Sequence, residues 1–108
     1  MQFVDIETIR KRISLGHYLI KVHAVQHALK EGFDRSHMVE AVVPVKLLRS
    51  TKQRSLFCGQ VKLNHNISIY LHVICEYADP IYVEFVTAYI PDPVEWENPP
   101  FRRRRKQP

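Results

Sequence analysis

No apolar run in the sequence approaches the ~20 residues that a membrane-spanning helix needs. The N-terminus, Met1-Gln2-Phe3-Val4-Asp5, lacks the basic-then-apolar order of a signal peptide, and the expected location is the cytoplasm. Cysteine is limited to Cys58 and Cys75. Both fall in strand-like segments without a CxxC spacing, which suits reduced core thiols better than a disulfide or a thiolate zinc site. His23-Ala24-Val25-Gln26-His27 puts two imidazoles one helical turn apart, but it lacks the glutamate of HExxH and no third ligand is evident. No metal and no cofactor are therefore expected, and no unambiguous catalytic signature is present.

Charge of one sign is missing from whole stretches. Between Lys46 and Lys62 there is no acidic residue, and from Leu63 to Phe101 there is no Lys or Arg. The run Arg102-Arg103-Arg104-Arg105-Lys106 accounts for the net charge of +5, so the other 11 basic residues are matched by 11 acidic ones. A basic hairpin thus faces an acidic second half. This describes either an internally complementary sheet or a groove that meets phosphate on one side.

At 108 residues and 45% hydrophobic, the chain is long enough for one core and too short for two. Asp5 is a candidate N-cap for a helix to Leu15, with Ile6, Ile9 and Ile13 on one face and Gly16 closing it. His17 to Val22 reads as either an edge strand or an extended connection. A helical pattern returns from His23 to Lys30 and ends at Gly32. Asp34 then caps a third helix, with Val39 and Val42 inward, that stops before Pro44. The rest is strand pattern: Val45 to Arg49, Arg54 to Leu63, Ile67 to Glu76 and Ile81 to Ile90, joined by hairpin-length turns. Pro91 and Pro93 stop the last ladder, Trp96 folds back on the body, and Asn98-Pro99-Pro100 marks its end. The expected architecture is α+β, with N-terminal helices on one face of a four-stranded antiparallel sheet. It comprises one domain over 1–98 and a basic tail over 99–108.

Alternation also assigns faces. With Phe57, Val61, Leu63, Ile67, Ile69, Leu71, Val73, Val86, Ala88 and Ile90 beneath the helices, the opposite face carries Lys62, Tyr70, His72, Thr87 and Tyr89. A histidine, hydroxyls and a cation on a half-open sheet are suited to gripping or cleaving an RNA phosphodiester.

Ile9-Arg10-Lys11-Arg12-Ile13, Gly16-His17-Tyr18, His23-Ala24, Gly32-Phe33, Leu71-His72-Val73-Ile74 and the run Val86 to Pro93 ending at Trp96 and Phe101-Arg102 together resemble a prokaryotic family. It is the domain of unknown function numbered forty-two fifty-eight, a distant relative of the RelE and BrnT ribonuclease toxins of toxin–antitoxin pairs. The resemblance covers nearly the whole chain and implies a RelE/BrnT-like fold. It also implies RNA as partner, ribosome-associated or free, and an antitoxin protein. Carried over, it makes His23 or His72 the base of a metal-independent ribonuclease and gives Thr87 and Tyr89 the phosphate. Lys62, Arg102, Arg103, Arg104 and Arg105 would hold the RNA. Where the family has a small hydroxyl residue and two arginines around its His-Ala pair, this chain has Lys21, His27 and Glu31. Those losses favour a second reading, a non-catalytic module that binds nucleic acid or protein on the same fold.

Overall fold

The computed structural model describes residues 5–42, 46–51 and 53–105. Helix α1 spans Ile6–Ser14 and starts where expected, because Asp5 Oδ1 accepts from Thr8 N at 2.8 Å and satisfies one of the first turn's unpaired donors. Its buried residues are Ile9 and Ile13. The chain then forms a short strand, β1, Tyr18–Ile20. Helices α2, Val22–Glu31, and α3, Arg35–Val42, follow. Gly32, at φ 84°, turns one into the other in a left-handed conformation that a side chain would strain. Asp34 caps α3 through the amides of Ser36 and His37. Pro44, the expected stop for this helix, lies outside the described residues.

Strands β2, Lys46–Ser50, β3, Arg54–Lys62, β4, Ser68–Glu76, and β5, Val83–Tyr89, form the antiparallel meander that alternation predicts. Asn64 organises the β3–β4 turn by accepting from the amides of Asn66 and Ile67. Asp79 does the same for Ile81 and Tyr82 before β5. The sheet, however, has five strands and is mixed, in the order β1-β5-β4-β3-β2, with β1 parallel to β5. Tyr18 stands opposite Val83 and Ile20 opposite Phe85. Three residues are too few to show a strand period, which is why the sequence left this segment open between edge strand and connection.

The helices cover one face. Ile9, Ile13, Ala24, Ala28, Met38 and Ala41 pack on Phe57, Val61, Leu71, Val73, Phe85 and Ala88. Leu63, Ile69 and Ile90 pack partly buried against this core, whereas Ile67 is exposed. One expected assignment is reversed: Phe85 is in the core and Val86 is not. A bulge at Val86 causes the change, since Ile74 pairs with Thr87 but Cys75 pairs with Phe85. The extra residue flips the alternation N-terminal to it.

The second face is not open. Residues 91–105 return across it as a strap. Trp96 N donates to Asp92 O at 2.9 Å, Glu97 N to Arg102 O at 3.0 Å and Arg104 N to Glu95 O at 2.9 Å, and Trp96 forms a bridge with Arg103. The folded body therefore runs past Asn98. Much of the arginine run is the return limb of this strap rather than a free tail, and Lys106 lies outside the described residues. Two prolines made the segment look like an ending because they forbid a sheet ladder. They do not forbid packing across a sheet face.

Cys58 and Cys75 are both free and buried. Gly59 sets the close approach of α3 to β3: a Cβ there would sit 2.6 Å from Ala41 Cα. Gly59→Ala should therefore separate the two layers and cost about 3 kcal/mol, at the upper end of the usual penalty for overpacking. An unfolding midpoint in urea within error of the parent's would show that the layers have slack.

Candidate phosphate-binding pocket on the sheet's second face

Strand register brings His72 and Tyr89 together, because β4 and β5 pair these two residues directly. His72 is fully buried, at 0% exposure. Its Nε2 lies 2.7 Å from the Pro100 carbonyl oxygen and its Nδ1 lies 3.2 Å from the Tyr89 hydroxyl. A carbonyl only accepts, so Nε2 carries the proton and Nδ1 accepts from the Tyr89 O–H. The Trp96 ring stands edge-on to the imidazole with centroids 4.4 Å apart, and Arg103 lies over Trp96 at 5.2 Å. Farther along, Phe101 meets Tyr70 edge-on at 5.9 Å, with the Lys46 ammonium 4.5 Å from its centroid. The imidazole is therefore a seat for the strap, with both ring nitrogens engaged.

Beside the strap lies a pocket of about 300 Å³. Leu56, Ile74 and Trp96 form its apolar floor, and Arg49, Arg54, Arg103, Ser50, Thr51 and Tyr89 line the rest. Arg49 reaches it through a second bulge. Lys46 pairs with Cys58 and Leu47 with Phe57, but Arg49 pairs with Leu56, so the register shifts between them. Strict alternation from Lys46 would point residue 49 toward the helices. The extra residue, Leu48, turns it to the strap side instead. Arg54 is held by Glu76, with Nε 2.9 Å from Oε2. Arg49 and Arg103 have no carboxylate partner among the described residues.

Burial raises the Tyr89 phenol above its ordinary value. The Arg103 and Arg49 guanidiniums pull it back and Glu95 adds to the rise. Tyr89 is thus a neutral phenol at pH 7, donating inward to His72 with its oxygen lone pairs available at the pocket wall.

The other expected site residues are dispersed. Thr87 stands opposite Ile74 on this face but does not line the pocket. Lys62 is exposed at the far end of β3, opposite Ser68. The Arg102 backbone belongs to the strap, Arg104 is tied by its Nε to the Pro93 carbonyl at 2.7 Å, and Arg105 is exposed. His23 is exposed on α2, on the opposite side of the sheet from His72. It neighbours His27 with ring centroids 6.2 Å apart, and His27 Nε2 lies 3.6 Å from Glu31 Oε2. Among the described residues no three His, Cys, Asp or Glu side chains are placed to share a metal ion. No helix among them is long and apolar enough to cross a membrane.

Sequence reasoning missed Arg49, Leu56 and Ile74 as site residues. The acid-free stretch from Lys46 to Lys62 was the available signal, but it carried no face for Arg49 without the bulge.

Burial lowers the affinity of His72 for a proton below its ordinary 6.5, against the Pro100 carbonyl, which favours the charged form. The folded chain therefore takes up that proton less readily than the unfolded chain. The stability contributed by neutral His72 is complete above pH 6.5 and is lost as pH falls toward the depressed folded value. Urea midpoints should drop between about pH 7 and about pH 5, and His72→Gln should flatten that dependence. An identical pH slope in both proteins would show that another group is responsible. Comparison of the chain with protein-family models, with curated proteins and with solved structures finds no match.

Proposed function

We propose that this chain is an RNA-binding protein that grips phosphate in the pocket formed by β2 and the strap. The observation that carries the reading is the meeting of Arg49 and Arg103, from segments far apart in sequence, in one pocket. Two guanidiniums without carboxylate partners suit a phosphodiester, which accepts on both non-bridging oxygens. The arginines at the strap's end extend the positive surface and add counterion release to the affinity. Arg49→Ala and Arg103→Ala should each weaken binding of a labelled single-stranded RNA by about tenfold or more, on the scale of one charged hydrogen bond. Each should also reduce the salt slope by about 0.7. Anisotropy titrations at several salt concentrations measure both. Unchanged slopes in both variants would remove the pocket from RNA binding.

A second reading, a metal-independent ribonuclease of toxin–antitoxin type, is favoured by the Tyr89–His72 hydrogen bond. When His72 is protonated its Nδ1–H donates to the Tyr89 oxygen, and the freed phenol proton can protonate the 5′-oxygen as the 2′-hydroxyl gives its proton to solvent, the 2′-oxygen attacks phosphorus and the P–O5′ bond breaks. In that chemistry Tyr89 is the acid, and a protonated His72 turns its hydroxyl proton toward the pocket. Tyr89→Phe should then lower RNA cleavage in EDTA by about 10²-fold or more, as removal of a positioned acid does. Equal cleavage by parent and variant, or none by either, would leave the binding reading alone.

A further inference from the structure

We propose that the pocket receives one nucleotide of a single strand as a unit, its phosphate between Arg49 and Arg103 and its base on the floor of Leu56 and Ile74. This deepens the RNA-binding reading and rests on it. Leu56 and Ile74 are directly paired across β3 and β4, so their side chains form one continuous apolar patch. Ile74 is half-buried, and the pocket reaches it beside Trp96 and Tyr89.

A bare phosphate gains nothing from such a floor, since an anion placed on apolar side chains loses water without a hydrogen bond in return. A nucleobase has apolar faces and gains from covering them. The volume of about 300 Å³ is at the lower limit for small-molecule sites, which fits one nucleotide and not several. A duplex can offer phosphates to the arginines, but its bases are stacked inside and cannot reach the floor. Single strands should therefore bind better than duplexes of the same length.

The chain's one tryptophan, Trp96, lies in the pocket floor beside Leu56 and Ile74, so its emission reports occupancy directly. The full chain is titrated at fixed low salt with a short oligouridylate, its duplex with oligoadenylate, an abasic oligomer of equal length and inorganic polyphosphate of equal charge. The oligouridylate should bind about 5- to 100-fold more tightly than the abasic oligomer or polyphosphate, the range that base stacking contributes. Ile74→Thr keeps a β-branched residue in the strand while making the floor polar. It should lose that advantage, the ratio of oligouridylate to polyphosphate affinity falling toward one, whereas Arg49→Ala should weaken both. Equal affinity for oligouridylate and abasic strand, or an Ile74→Thr protein that still prefers the base-bearing strand, would make the pocket a phosphate site only. Failure of every polyanion to bind would overturn the RNA-binding reading itself.

Discussion

The hydrogen bond from the His72 imidazole to the Pro100 carbonyl, 2.7 Å long and wholly buried, fixes the second half of this structure. A five-stranded sheet with helices on one face leaves a second apolar face to cover. Among the described residues no further strand or helix is left to do so. The strap covers it, and an irregular segment with four prolines cannot be held by ladder bonds alone. It is held by one buried donor beneath it and by aromatic contacts, with Trp96 on His72 and Phe101 between Tyr70 and Lys46. The same imidazole accepts from Tyr89, so strap position and Tyr89 orientation share one anchor.

Most of the fold was legible because its elements obey simple periods. The Asp5 and Asp34 caps, the Gly32 turn and the four meander strands all follow from local chemistry. What escaped was set by single extra residues. The bulge at Val86 exchanges Phe85 for Val86 in the core, and the one at Leu48 turns Arg49 toward the strap. Neither residue differs in type from an ordinary strand residue, so period-two reasoning passes over both. The strap escaped for another reason: Pro-rich and Arg-rich composition reads as solvated, while its order depends on a partner surface distant in sequence. The candidate site was half visible. Tyr89 and His72 came from alternation, and Arg103 was placed among the RNA contacts, but the geometry joining Arg103 to Arg49 is tertiary.

The separation of charge along the chain resolves residue by residue. Complementarity within the sheet accounts for Arg54, which pairs with Glu76, and for Lys21, whose ammonium lies 2.7 Å from Glu84. Lys46 is spent on the face of Phe101. Arg49 and Arg103 remain without carboxylates among the described residues, and they line one pocket. Internal pairing therefore accounts for some members of the basic set, and the phosphate contact proposed above draws on the others.

This division also bears on binding against cleavage. A histidine general base needs a free ring nitrogen within reach of a substrate proton. His72 has none, since Nε2 donates to Pro100 and Nδ1 accepts from Tyr89, and His23 is on the far side of the sheet. Protonating His72 would not release the strap, because Nε2 remains a donor and Nδ1–H could donate to the Tyr89 oxygen. Protonation therefore weakens the fold by burying a charge and not by cutting the strap's anchor. Any proton chemistry at the pocket falls to Tyr89, whose phenol burial keeps neutral. An acid without an accessible partner base, its own proton turned toward His72, is weak equipment for turnover, whereas the two guanidiniums suit the phosphate binding proposed above.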